Sequence, residues 1–328
     1  MIICRTPFRV SFFGGGTDMP QWIKNNEGQV INASINRYGF IFFTKKDDIY
    51  DYKYKIRYYL NEEAKSLKDI KHPAVKSCLK QYGLSKETLH ITYDADLPAR
   101  SGLGSSSSFT TGLVNTINFY KNKKISKNEL AKQTIFMEQK VLKESVGYQD
   151  QIAASYGGLN HIIFKKNKFI VKKINFKSNK LRDLNESILL CFTNQQRFAG
   201  DIEKIKNKDM YKNENIYNEI SLITEEALKL LKSDQPNWLT EFGGLLNEYW
   251  NLKKGLNKNV SNYKVNQLYD AFLKEGAYGA KLMGAGNGGF MLILAKKDVQ
   301  KKIRRKFTNL KFVKVEIENH GSKIIYPY

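Results

Sequence analysis

Three glycine-rich segments carry the residues of this chain best suited to chemistry. They are Gly14-Gly15-Gly16-Thr17-Asp18, Gly102-Leu103-Gly104-Ser105-Ser106-Ser107-Ser108 and Gly284-Ala285-Gly286-Asn287-Gly288-Gly289. In the middle segment a glycine loop runs straight into a helix predicted from Ser105 to about Tyr120. A first helical turn has unpaired N–H groups and the positive end of the helix dipole, so it attracts anions. Glycines let the backbone approach a phosphate closely, and serine hydroxyls can donate to phosphate or ligate Mg²⁺. On this segment alone, a flexible loop with a serine cap explains the pattern equally well. The phosphate-loop string Gly-x-x-x-x-Gly-Lys-Ser/Thr does not occur. The third segment matches Gly-x-Gly-x-x-Gly at Gly284, Gly286 and Gly289. A dinucleotide fingerprint follows a strand and opens a helix, whereas Phe290 to Leu294 reads as a strand, so a dehydrogenase is disfavoured.

The surrounding chain must supply a core to hold these loops. It has 328 residues, 41% of them hydrophobic and 12% aromatic, which excludes a disordered polymer. No apolar run approaches the roughly 18 residues of a membrane span, and the start, MIICRTPFRV, lacks the pattern of a secretory signal. Cys4, Cys78 and Cys191 are odd in number and far apart, which argues against a disulfide framework or zinc cluster and for a cytoplasmic setting. Lys and Arg number 54 against 32 Asp and Glu, a net charge of +22. That charge would suit a polyanion binder, but the lysines are spread over the whole chain and no nucleic-acid motif accompanies them. Neither a nucleic-acid nor a membrane partner is expected, and self-association is left open. A positive field also gathers small anionic substrates.

The elements that position the loops alternate between strand and helix. Ile2 to Phe13 is extended with an interruption near Pro7. Gln29 to Lys46, rich in β-branched and aromatic residues, predicts one long strand or a hairpin. Tyr52 to Leu60 and Leu89 to Asp94 predict shorter strands. Ser126 followed by Glu129 is a capping box that opens a helix reaching about Lys143. Strands near His161 to Phe164, Phe169 to Ile174 and Ser187 to Thr193 precede a helical region from about Gly200 to Gly276. Strand Phe290 to Ala295, helix Val299 to Phe307 and strand Lys311 to Ile317 close the chain. The expectation is an α+β fold with two lobes and a cleft, residues 1–180 and 181–328.

The three segments together resemble motifs of the GHMP kinase superfamily, named for galactokinase, homoserine kinase, mevalonate kinase and phosphomevalonate kinase. Pro7-Phe8-Arg9-Val10-Ser11 through Asp18 resembles its first motif. Pro98 through Ser106 matches the second, Pro-x-x-x-Gly-Leu-Gly-Ser-Ser, and Lys281 through Gly289 resembles the third. Their order agrees and they span nearly the whole chain. The resemblance implies ATP-dependent phosphorylation of a small-molecule hydroxyl, with Mg²⁺. It also implies an ATP-binding N-terminal lobe like a ribosomal-protein domain and a ferredoxin-like C-terminal lobe. Galactokinases carry Gly-Glu-His-Thr-Asp where this chain has Gly14 to Asp18, which argues against galactose. This form, with Leu97 to Gly104, is most similar to the heptose-phosphate branch. An acceptor phosphorylated on the anomeric oxygen of D-glycero-D-manno-heptose 7-phosphate is thereby implied, on the way to nucleotide-activated heptose for surface polysaccharide. An L-fucokinase-like sugar kinase is the nearest alternative.

The same resemblance implies roles for individual residues. Asp150, in Gly147-Tyr148-Gln149-Asp150-Gln151, matches the proton acceptor for the attacking hydroxyl, although it could also cap the helix that follows. Arg9 would neutralise transferred charge or hold Asp150 ionised. Ser101, Gly102, Leu103, Gly104, Ser105, Ser106 and Ser107 would cradle ATP. Glu138, 12 residues before Asp150, would bind Mg²⁺ with Ser106. Gly15, Gly16, Thr17, Asp18, Gly286 and Gly288 would contact the sugar, and Arg100 and Arg197 would grip its distal phosphate.

Overall fold

The computed structural model describes residues 1–327 apart from 167, 177 and 195–209, so Arg197 lies outside the described residues. The first sheet begins with β1 (Ile2–Phe13) paired antiparallel to the long β2 (Gly28–Lys45). Pro7 does not break β1. The register shifts between Pro7 and Phe8, and this irregularity absorbs the missing proline N–H. β2 serves two neighbours. Its second half pairs with β5 (Leu89–Ala95) and its first half with β6 (Leu159–Lys165), which β7 (Lys168–Lys173) extends. β3 (Tyr54–Arg57) and β4 (Asn61–Ala64) continue beyond β5, and the terminal β12 (Lys323–Tyr326) returns to the free side of β1. A second antiparallel sheet has the order β11 (Lys311–Lys314), β8 (Ile188–Phe192), β10 (Phe290–Leu294), β9 (Gly279–Leu282).

Short α1 (Pro20–Ile23) follows the first glycine turn, and α2 (Pro73–Gln81) packs beside α3 (Ser105–Tyr120). α3 lies across β1 and β2, burying Leu113, Val114 and Ile117 against Ile41, Phe43 and Ile91. The capping box at Ser126 and Glu129 forms as expected and starts α4 (Lys127–Phe136). α4 does not run on to Lys143. A π-helical turn, Met137–Val141, replaces its last turn, and α5 (Gln149–Tyr156) follows. Such wide turns interrupt α-helices most often at functional sites.

The second half holds α6 (Ser178–Ser187), α7 (Glu214–Lys232), α8 (Trp238–Gly255), α9 (Tyr263–Lys274) and α10 (Lys297–Lys306). β10 shows the period of two that a doubly covered strand requires. Leu292 and Leu294 face a cluster with α7 and α8, while Met291 and Ile293 face α9 and α10. The first cluster also takes in Phe12 and Phe13 of β1. The Phe242 ring on α8 sits 5.6 and 5.0 Å from theirs in edge-on contacts. The end of β1, which carries the first glycine turn, is therefore clamped by helices of the second half. Among the described residues no helix is long and apolar enough to cross a membrane.

His161 on β6 is 6% exposed, and its Nε2 lies 2.8 Å from Gln29 Oε1. Burial, helped by Lys172 and Lys232, pushes its pKa down to about 4. The unfolded chain then binds more protons than the folded one between about pH 6.5 and pH 4. Stability present above pH 6.5 is expected to decline as the pH falls through that window. Denaturant unfolding of wild type and His161→Gln at pH 7 and pH 4.5 checks this. The variant should gain on wild type at the lower pH, and an equal loss in both would contradict it.

Candidate functional site

The first glycine turn is built around close backbone contacts. Gly14 has φ +82°, and a Cβ there would lie 1.9 Å from Gln29 O. Thr17 is fully buried, its hydroxyl 2.8 Å from Gly14 O and 2.9 Å from Gln29 O while accepting the Gln29 N–H at 3.0 Å. Thr17, expected to meet substrate, instead locks the turn to β2, because its hydroxyl is engaged there and sealed from solvent. The turn aims Asp18 inward. Asp18 Oδ1 accepts from Gly16 N at 2.9 Å and Gln149 Nε2 at 3.0 Å, and Oδ2 accepts from Gln149 N at 3.2 Å. Gly147 makes room for that carboxylate, since a Cβ would lie 2.0 Å from Asp18 Oδ2. Burial, with the charge of Asp150 adding to it, pushes the Asp18 carboxyl above the ordinary carboxylate range.

Arg9 joins three elements at one point. Its Nε and Nη2 donate to Asp150 Oδ1 and Oδ2, each at 2.7 Å, and Nη1 donates to Gly102 O at 2.6 Å. The Arg9 main-chain N–H donates to Leu103 O at 3.0 Å. Asp150 stands in the first turn of α5, whose capping position is Tyr148, so the helix-cap reading of Asp150 does not hold. Gly104 has φ +73°, and a Cβ there would lie 3.3 Å from Asp150 Oδ2 and 3.2 Å from Arg9 Cγ. The glycine loop thus touches the carboxylate with bare backbone, directly ahead of the N-terminus of α3. That first turn contains no acidic residue to repel an anion. Ser105 Oγ accepts the Arg100 N–H at 3.2 Å. Ser101 and Leu103 are buried, and their carbonyls tie the loop to Phe290 N and Arg9 N.

The π-helical turn swings Glu138 into the interior, where it is fully buried. Its Oε2 accepts from Ser107 Oγ at 2.9 Å and from Gln151 Nε2. Glu138 Oε1 and Gln151 Oε1 have no hydrogen-bond partner among the described residues. Burial, then the nearby Glu144, pushes the Glu138 carboxyl up to about 8. The hydroxyl that meets Glu138 belongs to Ser107 and not to the expected Ser106. One residue rotates a helical position by about 100°, and Ser106 is exposed at the open end of the loop.

A pocket of about 90 Å³, open to solvent, brings the two halves together. The N-terminal half contributes Arg9, Gly15, Gly16, Asp18, Gln149 and Asp150; the C-terminal half contributes Tyr217, Lys253, Leu256, Lys281, Gly284 and Ala285. Lys281 Nζ donates to Ser11 O at 2.8 Å and Phe12 O at 3.0 Å and lies 4.3 Å from the centre of the Tyr249 ring. Lys253 Nζ donates to Gly284 O at 2.7 Å. Gly286 and Gly288, expected at the sugar, are not among the pocket residues. A Cβ on Gly286 would lie 2.5 Å from Val260 Cα, so this glycine lets two loops close on each other. Arg100 is exposed on its loop and does not line the pocket either. Tyr217, Gln149 and Lys253 are absent from the sequence-based candidates. Lys253 carries a legible signal, because it continues the buried stripe of Leu246, Tyr249 and Trp250 on α8.

Comparison with known proteins agrees with this geometry. Residues 69–158 match the family model for the GHMP kinases N terminal domain, and residues 227–313 match that for GHMP kinases C terminal. The chain is 32% identical over 301 residues to the D-glycero-alpha-D-manno-heptose 7-phosphate kinase of Campylobacter jejuni, covering 88% of this chain and 87% of that one. The chain belongs to the GHMP kinase family. The bifunctional fucokinase/GDP-fucose pyrophosphorylase of Arabidopsis thaliana is 27% identical over 314 residues, which is 88% of this chain and 29% of that protein. The crystal structure of a D-glycero-D-manno-heptose 1-phosphate kinase from Bacteriodes thetaiotaomicron superposes with a TM-score of 0.81 at 21% identity, covering 100% of both chains. This GHMP kinase is thus an ATP-dependent phosphotransferase with the two-lobed α+β fold of its family, and the reading as a non-catalytic polyanion binder gives way.

The loop at Gly104 supplies a direct check on this geometry. Gly104→Ala places a Cβ against Asp150 and Arg9 and forces a left-handed conformation on alanine. A stability loss of about 1–2 kcal/mol is expected, with a fall in kcat/KM of about 10- to 100-fold from the displaced loop. Unfolding curves and steady-state kinetics on the same preparation test this, and full activity would contradict the contact.

Proposed function

We propose that this chain transfers the terminal phosphoryl group of ATP to the anomeric hydroxyl of D-glycero-D-manno-heptose 7-phosphate, giving the 1,7-bisphosphate. The observation that carries the proposal is the 32% identity to the Campylobacter jejuni heptose 7-phosphate kinase along 88% of the chain. The placement of Asp150 on the wall of an open pocket beside the glycine loop supports it. The reaction would serve nucleotide-activated heptose synthesis for surface polysaccharide, in the cytoplasm. An L-fucokinase-like activity is the second reading, favoured by 27% identity over 88% of the chain to the plant fucokinase.

Each step maps to residues of this chain. Asp150 accepts the proton of the attacking hydroxyl while the Arg9 fork fixes its orientation. Asp18 and Gln149, held together by hydrogen bonds, offer acceptors to sugar hydroxyls. The N–H groups and hydroxyls at Gly102 to Ser107 cradle the ATP phosphates. The oxygen set at Glu138 fits a hard cation: a buried carboxylate oxygen without a partner, beside a serine hydroxyl. Glu138 and Ser107 would hold Mg²⁺, which neutralises phosphate charge when bound.

Asp150→Asn removes the proton acceptor and little bulk, so turnover is expected to fall about 100- to 10,000-fold while ATP binding persists. Near-normal turnover in a pure preparation would refute the assignment. The acceptor is tested by kcat/KM for heptose 7-phosphate, free heptose and L-fucose with ADP detection. Heptose 7-phosphate should exceed both others by more than tenfold, the worth of two charge-assisted hydrogen bonds. Equal use of L-fucose would move the fucokinase reading ahead.

A further inference from the structure

Arg9 ties β1 and α5 to the loop before α3 at the site. β1, α5 and α3 meet a second time at Ser322, which does not line the pocket. The connection from β11 to β12 carries the chain from the second sheet back to the first. Along it, Asn36 N donates to Glu316 O and Glu318 N donates to Ser34 O, each at 2.9 Å, so the segment lies against β2. It then crosses the C-terminal end of α5, where Gly158 N donates to Glu318 O at 2.6 Å. Two glycines bring the backbones into contact there. A Cβ on Gly157, at φ +70°, would lie 2.2 Å from the His320 carbonyl carbon, and one on Gly321 would lie 2.1 Å from Ser155 O.

Ser322 is the joint. Its main-chain N–H donates at 2.7 Å to Ala154 O, in the last turn of α5, where carbonyls lack helical partners. Its Oγ accepts from Asn115 Nδ2 of α3 at 3.0 Å. The same Oγ lies 2.9 Å from Thr6 Oγ1 and 3.2 Å from Cys4 Sγ, both buried on β1. A hydroxyl offers one donor and two acceptor positions, so these three contacts use its full capacity. Burial pushes the Cys4 thiol up, which keeps it a neutral partner.

Each of these elements carries a group of the site a short way along. Ala154 follows Asp150 by four residues, about 6 Å of helix. Thr6 precedes Arg9 by three residues, about 10 Å of strand. Asn115 follows Ser107 by eight residues, about 12 Å of helix. α5 has only eight residues, and its capping residue Tyr148 makes no side-chain cap, so a tie on its last turn reaches Asp150 through a single turn.

The geometry points to Ser322 as a positioning residue for phosphoryl transfer: by fixing α5 against β1 and α3 from behind, it holds the Asp150 carboxylate where the Arg9 fork meets it. This rests on the reading of Asp150 as proton acceptor. Ser322 stands outside the pocket, so its loss falls on kcat, through the placement of the carboxylate, and leaves both KM values in place.

The test is kcat and both KM values, per folded molecule, in wild type, Ser322→Ala, Ser322→Thr, Asp150→Asn and the Ser322→Ala/Asp150→Asn double variant. The acceptor is heptose 7-phosphate, or L-fucose should wild type prefer it, so the choice of sugar does not decide the result. Ser322→Ala should lower kcat about 3- to 10-fold with KM for ATP and acceptor unchanged, and Ser322→Thr, which keeps the hydroxyl, should recover part of it. With Asp150→Asn already in place there is no proton acceptor to position, so Ser322→Ala should then cost less than about twofold. Should Ser322→Ala fail to fold, Ser322→Cys, which keeps a weaker hydrogen-bonding group, takes its place in the same comparison. An unchanged kcat, or the same fold loss in both backgrounds, would overturn the positioning role and leave the Asp150 reading standing. Near-normal kcat in Asp150→Asn would instead overturn the proton-acceptor reading, and the positioning role with it.

Discussion

The Arg9 guanidinium holds the site together. It is 6% exposed, and a buried cation is tolerated only when paired and hydrogen-bonded. Its fork onto Asp150 satisfies one face and the Gly102 carbonyl takes another donor. Because Arg9 sits on β1, Asp150 on α5 and Gly102 in the loop before α3, one side chain sets the distance between a central strand, a carboxylate and the glycine loop. A lysine could not do this, since it has no planar fork to reach two carboxylate oxygens and a carbonyl together.

Much of the remaining architecture keeps that point in register. β1 is locked by β2 on one side and the returning β12 on the other. Its far end is clamped where Phe242 meets Phe12 and Phe13, so the C-terminal half presses the glycine turn into place while supplying the opposite wall of the pocket. On the other side of α5, Gln151 reaches Glu138, and Ser107 reaches it from α3. Consecutive residues of α5 thus carry the Asp150 carboxylate, proposed above as the proton acceptor, and reach the buried oxygen cluster at Glu138. A shift of α5 would disturb both at once, which is how packing couples two chemical tasks.

The sequence made local features readable and left assembled ones hidden. The limits of α3, the capping box of α4 and the long β2 follow from periodicity and side-chain chemistry within a few residues. The GHMP motifs located Arg9, Asp150 and Glu138, and the structure brings Arg9 and Asp150 into contact and buries Glu138 beside α5. What was not legible depends on distant partners. Thr17 looks like a ligand until Gln29 is seen to hold it. Gly286 looks functional until Val260 is seen against it. Ser106 and Ser107 differ only by the rotation of a helix whose far neighbour is a π-helical turn. β12 has four residues and forms only because β1 has a free side. Tyr217 and Lys253 sit in amphipathic helices, where a buried stripe is visible but the pocket it faces is not.

A double-mutant cycle on Arg9 and Asp150 tests the central claim most directly. Unfolding free energies of wild type, Arg9→Met, Asp150→Asn and the double variant give the coupling between the two side chains without reference to any substrate. If the fork is the constraint described, each single substitution strands a partly buried group, and the coupling should be about 2 kcal/mol or more, with the double variant no less stable than the weaker single one. Additive effects, with a coupling below about 0.5 kcal/mol as in an exposed pair, would contradict it.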